Sequence, residues 1–185
     1  MKSENIKHAM VSLEAVSRST HSFFALYDNI SWLDNAFGDL FPFRNICNSL
    51  LGDAAIKWCQ VFGKKSEGNH WKNLVDDELV FKEKLLAHLD ITEEHYLTYW
   101  KEMTEFRNVA IAHANPAFFN ADNRVPSLKI ALTSTCFTHC YLRSLLDEQH
   151  RLSHPDDLNF YGVCAAEAIL FKLNAPGKYR SDIVC

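Results

Sequence analysis

Apolar residues in this chain recur every three to four positions and alternate with period two only in short, isolated stretches, which confines the fold to packed helices. Leu51, Ala55, Trp58 and Phe62 stand at i, i+4, i+7 and i+11, with Gly63 as a stop. Ser3 caps a first helix that carries Ile6, Met10 and Leu13 on one face and continues toward Phe24 and Tyr27. Ser31–Pro42, rich in Asp, Asn and Gly, reads as a break. A third helix starts near Asp76-Asp77 and carries Phe81, Leu85 and Leu89. The fourth has Thr92 as N-cap, Glu93 and Glu94 at the positive end of its dipole, and Ile91 stapled onto Tyr96. It runs to about Ala114, where Asn115-Pro116 ends it. A fifth helix spans Leu128 to Arg151, SHPDD breaks it, and a sixth spans Leu158 to Leu173. The expectation is an all-α, up-and-down bundle of five to six helices. It forms one domain over 1–185, with a core of about 20–173 and a tail of 174–185.

Composition narrows the class. Hydrophobic residues make up 48% of the 185, thirteen of them Phe, which excludes a disordered chain. The N-terminus, MKSENIKHAM, lacks the apolar core of a signal peptide, and no apolar run reaches the roughly 18–20 residues that span a bilayer. A cytoplasmic protein with no membrane partner is expected. Six cysteines without a C-x-x-C pair read as reduced core residues rather than a disulfide framework. Cys136 and Cys140 flank His139 one turn apart, but no second ligand pair completes a tetrahedral site. Net charge is −4, so any nucleic-acid contact must use a local patch: Lys64-Lys65 with Lys72, or Lys82 with Lys84.

One stretch concentrates side chains suited to phosphodiester chemistry. In EFRNVAIAHANP, Arg107, Asn108 and His113 supply a guanidinium, an amide and an imidazole near the end of the fourth helix. Tyr96, Trp100, Met103, Arg107 and Ala110 follow one stripe, so Arg107 interrupts an apolar face. Ala110 lies between Arg107 and His113, and Ala112 and Ala114 keep the helix end slim. A second Arg–His pair, Arg143 and His150, has Asp147 and Glu148 between its members and reads as a solvated face. Such a spacing arises about once by chance in a chain with nine histidines, so setting and not spacing distinguishes the first pair.

The run RNVAIAH on the fourth helix of such a bundle resembles the HEPN superfamily, whose signature is Arg, four to six residues, then His, with a polar residue often following the Arg. The WCQVFG…HWKNLV stretch is similar to the middle of abortive-infection-type HEPN proteins. The resemblance covers about residues 20–150 in layout and seven residues as a motif. It implies a metal-independent endoribonuclease that works as a homodimer and needs no cofactor. It also implies a place in phage defence or a toxin–antitoxin system, with a cognate antitoxin or defence partner. His113 would be general base or acid, Arg107 would hold the phosphate, and Asn108 would orient one of them. HEPN toxins paired with a nucleotidyltransferase carry Tyr two residues after the His. Here that position is Asn115, which removes regulation through that Tyr.

Two other classes compete with this one. A HEPN-like bundle that binds RNA, a nucleotide or a protein without cleaving fits the modest charge. A di-iron bundle needs two Glu-x-x-His pairs. The chain offers Glu67 to His70 with Gly68 and Asn69 between, which is a loop. No G-x-S-x-G and no phosphate-binding glycine loop is present.

Overall fold

A computed structural model describes residues 2–39, 41–112, 125–176 and 179; the side chains of Ala110 and Ala112 are outside that description. The fold is all-α, with no strand among the described residues. In chain order the helices are α1 (Lys2–Asp28), α2 (Ile30–Phe37), α3 (Phe41–Phe62), α4 (Glu78–Leu89), α5 (Glu93–Glu105), α6 (Leu128–Ser144), α7 (Glu148–Arg151) and α8 (Leu158–Lys172). A single 3₁₀ turn, Trp71–Asn73, lies between α3 and α4, and a π-helical segment, Phe106–Ala112, continues α5.

α1 is the central element and packs against α3, α6 and α8. Its apolar residues Ile6, Met10, Leu13 and Val16 are fully enclosed, but so are Ser17, Thr20 and His21. Three serine hydroxyls on this helix tie it to its neighbours, while the Thr20 hydroxyl is buried without a hydrogen-bond partner. Ser17 donates to the Leu158 carbonyl at 2.7 Å, Ser19 to Asp53 Oδ2 at 2.6 Å and Ser12 to Gln60 Oε1 at 3.0 Å. The main core joins α1 to Trp58 and Phe62 of α3, Phe81 and Leu85 of α4, and Tyr99 and Met103 of α5. Trp58 stacks on Phe62 and meets Tyr99 edge-on, and its indole N–H donates to Ser134 Oγ at 3.0 Å.

Three helix boundaries differ from the sequence reading. α1 already includes Lys2, ahead of the Ser3 expected as its cap. The segment read as a break between Ser31 and Pro42 instead holds α2 and the start of α3. Ile30, Leu33 and Phe37 recur at helical spacing, Leu33 is fully buried, and Gly38 closes α2 in the left-handed conformation at φ 69°. Pro42 sits in the first turn of α3, where its missing N–H costs nothing. The long fifth helix expected to Arg151 stops at Ser144. Asp147 then caps α7 by accepting from the His150 N–H at 3.0 Å.

α8 approaches α1 closely at Gly162. A Cβ there would stand 2.2 Å from His21 Cδ2 and 2.4 Å from Ser17 Oγ. Both neighbours are themselves buried and fixed, so neither can withdraw. Gly162→Ala is expected to destabilise the fold by about 1–3 kcal/mol through overpacking, read as a lower urea midpoint at unchanged slope.

Two histidines are enclosed in neutral form. Burial pushes His21 down to about 4, opposed by Asn159. Burial and the Lys72 charge do the same to His70, also to about 4. The unfolded chain, with ordinary histidine near 6.5, binds protons first as pH falls, so stability is full above about pH 6.5. It should decline between about 6.5 and 4, on the order of 3 kcal/mol per histidine, and then level off for these groups. Urea titrations at several pH values, with His21→Gln and His70→Gln as comparisons, would measure it.

Candidate functional site

α5 runs antiparallel to α3. Trp100 Nε1–H donates to the Phe62 carbonyl at 2.7 Å, Cys59 Sγ lies 4.0 Å from the Met103 carbonyl, and Ile111 packs within 3.5 Å of where a Gly52 Cβ would be. The start of α5 is set as expected, with Thr92 accepting from the His95 N–H at 3.2 Å. Its buried face is Tyr96, Tyr99, Met103 and Phe106. Trp100 and Arg107, seven residues apart, flank that face and are half-buried.

Beyond Glu105 the helix widens to π geometry, in contrast to the α-helix expected through Ala114. The i→i+5 bonding changes which side chains stack, so the α-helical stripe drawn from Trp100 through Arg107 to Ala110 does not continue as drawn. π segments are rare and occur often at functional sites.

Arg107 and Asn108 part company on this segment. Arg107 turns inward to the α3 side, where its guanidinium lowers the Cys59 thiol against burial, which still carries that thiol up to about 11. Cys59 is therefore a neutral wall and not a nucleophile. The Arg107 Nε is buried without a hydrogen-bond partner, and among the described residues no ion pair involves Arg107. Asn108 is exposed. His113, Ala114, Asn115 and Pro116 lie outside the described residues, as does most of the tail from 177 onward.

The second Arg–His pair has ordinary partners. Arg143 pairs with Asp156, and His150 Nδ1 lies 2.7 Å from Asp147 Oδ2. Cys136 and Cys140 do not converge as metal ligands: Cys136 is buried and disulfide-bonded, Cys140 exposed. The disulfide departs from the expectation of six reduced cysteines.

The residue between them, His139, belongs to a cluster the sequence reading missed. Glu14 Oε1 lies 2.6 Å from His154 Nδ1 and 3.7 Å from His139 Nε2. All three side chains are at most 12% exposed. Burial would raise the Glu14 carboxyl, but His139 and His154 together hold it below its ordinary value. His154 supplies the hydrogen bond, and His139 lies beyond hydrogen-bond distance. Zinc ligands at 2.0–2.1 Å in a tetrahedral array lie roughly 3.3 Å apart, so the 2.6 Å contact is that of a hydrogen-bonded pair. The three residues come from positions 14, 139 and 154, a separation that no local spacing rule detects. Glu14→Ala should cost about 1–3 kcal/mol, because it leaves the enclosed His154 imidazole without its acceptor, while Glu14→Gln should cost less. Urea unfolding at pH 7 checks both.

The basic patches noted in the sequence also meet. Lys65, Lys72 and Lys82 line one cleft of about 270 Å³ together with Trp71 and Trp100. No helix is long and apolar enough to cross a membrane among the described residues. No family model, curated protein or solved structure matches this chain.

Proposed function

We propose that the chain is a metal-independent endoribonuclease of the HEPN type, active as a cytoplasmic homodimer. The observation that supports this reading is Arg107: a half-buried guanidinium with an unpartnered Nε, on a π-helical segment within the motif. A half-buried cation with no carboxylate partner among the described residues favours an arriving anion, and a phosphodiester matches the paired N–H donors of a guanidinium. His113 then takes the proton from a ribose 2′-OH or gives one to the departing 5′-oxygen. Arg107 stabilises the added negative charge of the transition state, and Asn108 orients one of the reacting groups. The 2′-oxygen attacks phosphorus, the P–O5′ bond breaks, and a cyclic phosphate results. RNA is thus the substrate and DNA is not. Two copies facing each other along the Arg107 segment would complete the catalytic site. Phage defence or a toxin–antitoxin pair, with a cognate antitoxin or defence partner, is the setting such an activity fits.

A second reading is a HEPN-like bundle that binds RNA, a nucleotide or a protein without cleaving. The inward turn of Arg107 toward Cys59 and its separation from exposed Asn108 favour it.

RNA cleavage that persists in EDTA, ends in a 2′,3′-cyclic phosphate, and falls roughly 10²–10⁴-fold in both Arg107→Ala and His113→Ala is the expected result. His150→Ala, on the second pair, should cleave as the native protein does. Folded, dimeric native protein that cleaves no RNA would leave the binding reading in place, and sedimentation as a monomer at micromolar concentration would count against the shared site.

A further inference from the structure

The geometry points to a second binding site, for an organic phosphate carrying one flat ring system, in the cleft between the α3–α4 connection and α5. A nucleoside monophosphate is the simplest such molecule. The site stands apart from Arg107 and does not depend on the nuclease reading.

Three lysines reach the cleft from different places: Lys65 and Lys72 from the connection and Lys82 from α4. Each already leans on a carboxylate. Lys65 Nζ is 2.6 Å from Glu78, Lys72 Nζ is 3.8 Å from that same Glu78, and Lys82 Nζ is 2.8 Å from Glu93. Three ammonium groups share two carboxylates, so one positive charge is in surplus; Lys72, which also lies over the Trp71 ring at 5.4 Å, has the most distant carboxylate. Ammonium groups serve phosphate as point charges that tolerate varied angles, which suits three flexible stems converging on one group. In a chain of net charge −4, this is a local reversal of sign.

The aromatic side of the cleft is rigid. Trp71 is stacked with Phe81 at 4.8 Å and with His70 at 5.8 Å, so its faces are occupied. His70 Nδ1 accepts the Lys72 N–H at 3.2 Å, and the ring stays neutral at physiological pH. The backbone that bears Lys72 is thereby fixed. Trp100 differs: its indole N–H is held by the Phe62 carbonyl, the ring is half-buried, and no ring stacks on it among the described residues. A held indole with an open face is a stacking platform for a base. The volume, about 270 Å³, lies just under the roughly 300–1,000 Å³ of drug-sized sites and so admits one nucleotide unit rather than two.

The test titrates the full chain with adenosine 5′-monophosphate, followed by tryptophan fluorescence and calorimetry. Adenosine, inorganic phosphate and a 5′-phosphorylated hexa-adenylate are titrated alongside. Saturable binding is expected on the order of 0.1–1 mM, weakened by salt, because Glu78 and Glu93 compete for the same ammonium groups. Adenosine and phosphate alone should bind at least tenfold more weakly. Lys72→Gln/Lys82→Gln, at partly exposed positions that leave the core untouched, should weaken binding at least tenfold. Arg107→Ala should bind as the native protein does, which separates this site from the nuclease reading whichever way cleavage falls. In Arg107→Ala, where the proposed nuclease site cannot contribute, tighter binding of the hexamer than of the monophosphate identifies the ligand as the end of an RNA; equal binding identifies it as a free nucleotide. No saturation by about 10 mM, an affinity unchanged in the double lysine variant, or inorganic phosphate binding as well as the nucleotide would each overturn the proposal.

Discussion

The polar tethers along α1 are the constraint on which the other helices depend. α1 is enclosed by three neighbours, yet its sequence alternates apolar residues with Ser, Thr, His and Glu. Each matched hydroxyl or charge on such an enclosed helix offsets its own desolvation, and the matching is specific in a way that apolar contact is not. Ser19 fixes α3 through Asp53, Ser17 fixes the start of α8 through the Leu158 carbonyl, and Arg18 reaches the Tyr161 hydroxyl at 2.6 Å. Glu14 adds His154 from the segment before α8. A slide of any neighbour by one turn would break several of these at once. The apolar core supplies most of the driving force, and the tethers select one register.

That register carries through to the candidate site. α3 is held by α1, and α5 is held by α3 through Trp58 against Tyr99 and through the Phe62 carbonyl. Arg107 therefore receives its position at third hand. Its guanidinium reaches the α3 wall at Cys59 because Trp58 and Phe62 set the distance between the two helices. The cleft with Lys72 and Lys82 depends on the same Trp100–Phe62 bond, so both regions of interest hang from the C-terminal half of α3.

Most of the helical layout was legible because hydrophobic period and capping chemistry agreed. At Thr92 the cap, the acidic first turn and the apolar stripe all gave one answer, and α5 starts there. At Ser31–Pro42 they disagreed: Asp34, Asn35 and Gly38 favour turns, while Ile30, Leu33 and Phe37 favour a helix, and burial of Leu33 decided it. At Asp147 the apolar period ran on and hid a capping residue that starts a new helix. The site was less legible. Arg107 was expected within the apolar stripe and lies half-buried beside the buried face, and nothing local announced the π widening, which depends on how α5 meets α3. The Glu14 cluster and the lysine–tryptophan cleft draw on residues scattered along the chain, which only the fold brings together.

The π segment also bears on how this region accommodates change in length. An i→i+5 turn contains one more residue than the helix on which it is spliced, so Phe106–Ala112 stores a one-residue surplus. Elsewhere in the bundle, deleting a residue would rotate every later side chain by about 100° and misalign a packed face. Here a deletion can be absorbed by tightening the segment back to α geometry, leaving the helix upstream in phase. The Arg107 region is thus a slack point in the chain's phase, where spacing to the residues beyond can be tuned without disturbing the core.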